Sequence, residues 1–541
     1  MRSLAKVFAA ILITGAVGLI AGSSALAADG DLDGTFGIGG KVTTDFGGGD
    51  AAWGVAVQAD GKIVAAGNTF SQFALARYNA DGSLDASFGT GGKVTTDFGG
   101  AFDTAFAVAI QADGKIVAAG WASGGSFPVS DFALARYNAD GSLDASFGSG
   151  GKVTTDIAGS GDQASDVAIQ PDGRIVAAGT SDGRFALARY NPDGSLDGSF
   201  GTGGKVTTPV GQSTFGSALL IQVDGKIVAA GTSFMFLPTG VLADFALARY
   251  HPDGSPDASF GTGGTVTTDF GGRRDQAVGM ALQADGKLVA TGHTAPATGG
   301  PGDFALARYD LGGSLDPSFD TDGKVTTDFG GEDVATAVAI QADGKIVAAG
   351  GGGPGTDFGL ARYGTDGSPD ASFGTGGKVT TEFGGFDRVL DLALQPDGRI
   401  VAAGVARDDD FALARYVGTQ AEVPSTCGEV RGDGRLATNS HTRFVFYNVR
   451  SDGTSAPTGQ ISFSDRSASP RLHFDSTAIA SLVIAGSHVT LSGTGTANDV
   501  TVDFVVEGDD ASPDAFSIRL SNGYSASGSV SNGRGVNLKP C

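Results

Sequence analysis

Between residues 29 and 417 the apolar positions fall in short runs that recur. In FALARY (Phe73 to Tyr78) the large Phe, Leu and Arg alternate with Ala, Ala and Tyr, the two-residue period of a strand. In AVAIQADGKIVAAG (Ala107 to Gly120) two runs of β-branched and small residues flank an Ala-Asp-Gly turn, which predicts a hairpin. KVTTDF, as at Lys93 to Phe98, supplies a further strand. Each unit therefore predicts four strands, ordered VAIQ, KIVAAG, FALARY and KVTTDF. Both faces of these strands carry apolar groups, so each small sheet must be covered on two sides.

The unit occurs seven times. The motif [L/P]-D-x-[S/T]-F begins at Leu32, Leu84, Leu143, Leu196, Pro256, Leu315 and Pro369, at spacings of 52 to 60 residues. The FALARY-type runs end at Tyr78, Tyr137, Tyr190, Tyr250, Tyr309, Tyr363 and Tyr416. Stacking four-stranded units around an axis covers both faces of each, and this predicts a seven-bladed β-propeller. A β-helix is the rival, with rungs that are usually shorter. A row of separate small domains would leave each sheet too little core. The VAIQ strand, with its small residues, suits the narrow axis, and KVTTDF is outermost. The chain enters on an outer strand, Lys41 to Phe46, and leaves on a third strand, Phe411 to Tyr416. The N-terminal strand is thus expected to close the last blade.

After Tyr416 the repeat stops, and residues 418–426 form a polar linker. Residues 427–541 alternate again in TRFVFYNV, GQISFSD, ASLVIAG, HVTLSGTG and DVTVDFVVEG, between Gly, Asp and Ser turns. This predicts a small antiparallel β-sandwich or barrel. The repeated units resemble the delta-60 repeat family of exported bacterial proteins, over about Asp31 to Tyr416. That resemblance implies a β-propeller and an exported location, and no established activity. The C-terminal region, through PTGQISF, GTGTAN and PDAFSIRL, resembles the accessory domain called post-COAP.

Composition adds a location and excludes some partners. Residues 1–28 read as a signal peptide: Arg2 and Lys6, an apolar run from Val7 to about Ile20, then Ala25-Leu26-Ala27 before a cut after Ala27 or Ala28. The apolar run is short for a membrane anchor, and no second span follows. The formal charge is −23, so a phosphate backbone is an unfavourable partner. The expected mature protein is an exported monomer, extracellular or in the envelope, without membrane insertion. The two cysteines, Cys427 and Cys541, stand at the ends of the C-terminal region, and in an oxidising compartment they read as one disulfide.

Few residues point to chemistry. No G-x-S-x-G elbow, phosphate loop or H-E-x-x-H spacing is present, and the five histidines are scattered. The expectation is no enzyme and no cofactor, with calcium as the alternative. D-G-S-L-D segments such as Asp81 to Asp85 lack an EF-hand's ligand order and read as Asx-type turns. Eight residues before each unit's Gln stand Asp50, Asp103, Asp162, Thr214, Asp275, Asp333 and Asp387. Six carboxylates there are candidates to ring a channel mouth and hold a cation or basic group; alternatively each braces its own loop. Asp503, Glu507, Asp509, Asp510 and Asp514 form a second acidic cluster, either a calcium site or a solvated loop.

The links after KIVAAG vary, whereas the other turns scarcely change. Three are long: Trp121 to Asp131, Thr232 to Asp244 and His293 to Asp303. Binding usually resides on variable loops held by a rigid frame. Trp121, Phe127, Phe234, Met235, Phe236, Leu237 and His293 are accordingly candidate contacts. The apolar stretch TSFMFLPTGVLAD is expected to be a contact loop, a channel plug or a surface packed on the C-terminal region, and in each case buried against something. The function expected is non-enzymatic binding of an exported or surface protein or a glycan. The alternative is an extracellular carbohydrate-active hydrolase or lyase with a carboxylate site.

Overall fold

The structure, a computed structural model, describes residues 28–540 apart from 124–129, 160, 239, 273, 297–299, 355–356, 407–409, 419–426, 437–438, 453–457, 466–471, 486–487, 499, 510–514 and 521–524. Every element within it is a strand. The proposed signal peptide, Phe127, Cys541, Asp510 and Asp514 fall outside the described residues.

Seven antiparallel four-stranded units follow one another. The first blade comprises Asp50–Val57, Ile63–Thr69, Gln72–Tyr78 and Lys93–Thr96, paired in that order. Inner strands pack on the inner strands of both neighbours, and Asp50–Val57 meets Arg388–Leu394 of the seventh blade, so the ring is closed. The seventh blade takes its outer strand from the chain's start: Lys41–Thr44 pairs with Asp410–Tyr416, Lys41 opposite Ala414. In the cut turn Gly30 N donates to Val417 O (2.7 Å) and Val417 N to Asp31 O (2.8 Å). The residues 29–33, Asp-Gly-Asp-Leu-Asp, thereby replace the [D/G]-G-S-[L/P]-D turn that the other blades carry within one continuous chain.

The alternation in FALARY sets the packing between blades. Phe73 and Leu75 of the first blade meet Ala133, Ala135 and Tyr137 of the second, so large side chains fill space left by small ones. Each buried Tyr hydroxyl then finds a partner, as Tyr78 donates to Thr44 Oγ1 (2.9 Å) and Tyr137 to Thr96 Oγ1 (2.8 Å). The Arg of FALARY does a different job. Arg77 Nε donates to Asp85 Oδ2 (2.8 Å) in its own turn, its Nη1 to the Ala139 carbonyl of the next blade, and its guanidinium stacks 4.6 Å from the Phe88 ring. The Asp–Ser bonds expected of these turns are present: Asp81 Oδ1 accepts from Ser83 N (2.9 Å) and Asp85 Oδ1 from Ser87 N (3.0 Å).

One feature of the inner strand departs from simple alternation. All seven carry a β-bulge near their start, between Ala52 and Gly54 in the first blade and between Val389 and Asp391 in the last. The bulge brings an inner-strand carbonyl against the second strand. A Cβ on Gly67 would stand 1.7 Å from Ala51 O, which is why KIVAAG ends in glycine. The inner strands are also longer than VAIQ, beginning at or within one residue of the Asp (Thr214 in the fourth blade) of the preceding loop.

Residues from Cys427 to Pro540 form a closed eight-stranded barrel, Cys427–Leu436 pairing with both Asn439–Asp452 and Ser525–Pro540. Of the two forms expected, this is the barrel. Its closing register sets Gly428 opposite Pro540.

Two outcomes are expected. Deleting residues 29–49 should expose the edge of Asp410–Tyr416, lower the cooperativity of thermal unfolding and promote aggregation measurable by light scattering; melting unchanged from the full chain would contradict the closure. If one disulfide joins Cys427 and Cys541, thiol labelling of the denatured protein should detect neither until reductant is added, and Cys427→Ser should cost about 4–5 kcal/mol in the chain-entropy model; stoichiometric labelling without reductant would contradict it.

Candidate functional site: the axial cavity and the variable face

The bulges decide what lines the axis. In each inner strand the extra residue is aimed at the centre of the ring: Trp53, Phe106, Ser165, Ser217, Val278, Thr336 and Leu390. Together with the residues that follow, they enclose a cavity of about 400 Å³. Bulges commonly re-aim side chains in this way beside functional sites. The expectation that only small residues line the axis is corrected here, because the bulge shifts the alternation by one residue and turns large side chains inward. Trp53 and Phe106 meet edge to face with centroids 5.2 Å apart, and Trp53 Nε1 donates to Asn68 Oδ1 (2.8 Å). The Arg388 guanidinium lies 5.8 Å from the Trp53 ring, and burial lowers its pKa.

Two carboxyls stand in the wall where other blades have Ala or Gly. Asp166 Oδ2 accepts from Leu219 N of the next blade (2.7 Å) and its Oδ1 from Val167 N (2.7 Å). Asp391 repeats this across the ring's seam, Oδ2 accepting from Val55 N (2.8 Å) and Oδ1 from Leu392 N (2.8 Å). Burial pushes both up to about 7, and for Asp391 the charge of Asp166 adds to the effect. Both change charge near neutral pH, and every oxygen already takes a backbone amide. Sequence reasoning missed this pair. The usable signal was the departure from Gly or Ala at one register position of the repeated inner strand.

The candidate ring of carboxylates is not an open ring. Asp50, Asp103, Asp162, Asp275, Asp333 and Asp387 are each at most 1% exposed, and none lines the cavity. Each turns Oδ2 to an amide of its own loop: Asp50 to Phe46 N (2.6 Å), Asp103 to Phe98 N (2.8 Å), Asp162 to Ile157 N (2.6 Å), Asp275 to Phe270 N (2.7 Å), Asp333 to Phe329 N (2.6 Å) and Asp387 to Phe383 N (2.6 Å). Thr214 does the same work with its hydroxyl, 3.1 Å from Val210 N. The bracing alternative describes the geometry.

The variable links and the heads of the inner strands share one face. The stretch Thr232 to Asp244 is a projecting hairpin rather than a loop, its strands Ile227–Leu237 and Gly240–Tyr250. It is not buried against anything in the described structure: Met235 is 44%, Phe236 57% and Val241 46% exposed. Phe234 is half-buried, and Leu237 is exposed. At its base Ala243 bridges Arg274 in parallel, joining blades four and five into one sheet. Phe70, Phe102, Phe215 and Phe386 are also exposed on this face, Phe70 and Phe102 with centroids 6.5 Å apart. Trp121 and His293 lie in strands, not loops, both half-buried; burial lowers the His293 pKa and favours the neutral ring. Asp503, Glu507 and Asp509 fall in the barrel strand Val500–Asp509.

Comparison with known proteins bears on the fold. Seven segments, 58–88, 111–147, 170–200, 222–260, 283–319, 341–373 and 395–416, match the family described as "Domain of unknown function (DUF5122) beta-propeller". No curated protein matches. Among solved structures, virginiamycin B lyase from Staphylococcus aureus is 11% identical, over 70% of this chain and 98% of that one, with a TM-score of 0.44. An ulvan lyase of a polysaccharide lyase family is 14% identical over 73% and 95%, TM-score 0.40. Drosophila Plexin A, in complex with Semaphorin 1b, is 8% identical over 73% and 88%, TM-score 0.41. None of these bears on what this chain binds.

The two wall carboxyls give a pH dependence. Their folded values near 7 lie above the roughly 3.9 of an unfolded Asp. The folded state therefore binds more protons between those values, and stability should rise as pH falls from 8 to about 5. The turn aspartates act in the opposite sense. Burial pushes Asp85 up, but Ser87 and Arg77 outweigh it and hold the carboxyl at about 2, so this contribution is lost as pH falls through that value. Melting temperature against pH should peak in mild acid. Asp166→Asn and Asp391→Asn together should flatten the limb between pH 5 and 8; a slope unchanged by them would contradict the assignment.

Proposed function

We propose, from the premise that residues 58–416 belong to a β-propeller repeat family, that this protein is a binding platform whose variable face engages another protein. The projecting hairpin of the fourth blade carries the reading: an ordered element presents Met235, Phe236, Leu237 and Val241 to solvent. Exposed apolar groups clustered in this way mark contact sites, and Met and aromatic side chains are enriched in interface cores. The exposed phenylalanines around the same face extend the surface. The N-terminal composition supports an exported partner, met outside the cell or at its envelope. We infer further that the repeats are of the delta-60 type and that the barrel is a post-COAP-like accessory module, on the motifs quoted above.

Both oxygens of Asp166 and of Asp391 accept backbone amides within and between blades, which fits a role in holding the cavity wall. A second reading, a sugar ring or similar small group seated in the cavity, draws on the Trp53 and Phe106 walls.

Replacing Met235, Phe236, Leu237 and Val241 by Ser tests the first reading. Capture of the partner from a cell-surface fraction should fall by roughly tenfold or more, as for the loss of hot-spot residues. Stability should change by about 0.5 kcal/mol or less per site, as for solvent-facing positions. Capture unchanged by these replacements, with glycan binding that depends on Trp53, would favour the second reading.

A further inference from the structure

At the outer edge of the variable face, three carboxylates meet where one blade passes to the next. One begins a third strand, one follows the outer strand paired with it, and one heads the next inner strand. Asp131, Asp156 and Asp162 form such a set, with one oxygen from each within 4.8 Å of the others. Asp45, Asp50 and Asp410 repeat it, as do Asp244, Asp269 and Asp275, and Asp303, Asp328 and Asp333. Three acids at this distance repel one another unless protons or a cation intervene.

A second observation concerns the innermost member. Asp162 is fully buried, its Oδ2 takes the Ile157 amide, and its Oδ1 has no hydrogen-bond partner. In two of the other triads the equivalent oxygen is satisfied within the fold, Asp275 Oδ1 accepting from Thr294 Oγ1 and Asp333 Oδ1 from Gly353 N (2.7 Å). The Asp162 carboxyl group lends an oxygen to its cluster. A buried acceptor left without a donor is costly, and coordination to a cation removes that cost. Lysine does not fill the gap: Lys205 Nζ reaches the Asp156 carbonyl (3.0 Å), and none of the three carboxylates of this junction forms an ion pair among the described residues.

The repeat supplies an internal comparison. At the junction of the third and fourth blades the three positions are Arg184, Pro209 and Thr214, so all three acids are absent together. At the junction of the first and second blades Gln72 replaces one acid while Asp97 and Asp103 remain, and no such triad forms there among the described residues. Between the third and fourth blades the Thr214 hydroxyl takes over the loop amide, which shows that bracing does not require a carboxylate.

We propose that Asp131, Asp156 and Asp162 bind a calcium ion. Hard carboxylate oxygens suit calcium, and its flexible coordination of six to eight oxygens leaves room for carbonyls and water beside three side chains. The ion would tie a third strand, an outer strand and the next inner strand at one point, fixing the loops of the variable face. The site is independent of the protein-binding reading, because ion counting requires no partner.

The test uses the purified full chain, stripped with chelator and dialysed against millimolar calcium chloride in excess magnesium. The Asp131→Asn/Asp156→Asn variant should retain one calcium fewer per chain than the wild type and gain less in melting temperature on calcium addition. Asp131→Asn alone, which leaves the Asp162 brace and the Asp156 turn in place, reads the same loss if the double variant does not fold. Calcium content unaffected by either change, or no calcium retained by the wild type, would overturn the proposal.

Discussion

The propeller depends on a buried arginine repeated in every blade. Arg77, Arg136, Arg189, Arg249, Arg308, Arg362 and Arg415 each pair through Nε with the closing Asp of a [D/G]-G-x-[L/P]-D turn at 2.8–2.9 Å. Each also lies over the Phe that follows that turn, at 4.5–4.7 Å. A buried guanidinium must have all its donors met. Six of them reach on to a backbone carbonyl in the next blade's turn, and Arg362 reaches the Asp29 carboxylate at the start of the chain's ring. The same side chain therefore orders its own turn and sets the spacing to its neighbour. Planar, forked donors suit this task, and Lys could not replace them.

This clamp explains why one face is so uniform. Its turns are fixed by seven copies of one demand, and a change in any turn leaves a buried charge unmatched. The opposite face carries no such demand, so its links range from the two-residue turn at Asp182 and Gly183 to the long hairpin at Phe236. Function is free to vary where the clamp does not reach.

What was legible in the sequence follows the same division. Strand order, blade number and the N-terminal closure were readable because FALARY and KVTT repeat the same physical requirement seven times. The axial residues were not, since a bulge adds one residue and reverses which side chains face inward. Alternation places Trp53 and Phe106 by a rule that the bulge suspends. The projecting hairpin was misjudged for a related reason: apolar residues at Met235 and Phe236 suggest burial, and only the paired register, Met235 opposite Leu242, shows an element extended into solvent. Asp166 and Asp391 were hidden by abundance, as two carboxylates among many.

The closing strand has a consequence for how the chain reaches this state. Lys41 is among the first residues of the ring to be synthesised, yet its partner Ala414 is among the last. Until the seventh FALARY segment exists, the first strand has no edge to join, and the first six blades form an open arc with an unsatisfied surface at each end. Closing the ring therefore requires a pairing between segments more than 360 residues apart in sequence, and that loop-closure entropy is met only once both ends exist. The ring is thus a device that ripens only when the whole repeat is present, and a chain truncated by even one blade has no partner to offer its own beginning.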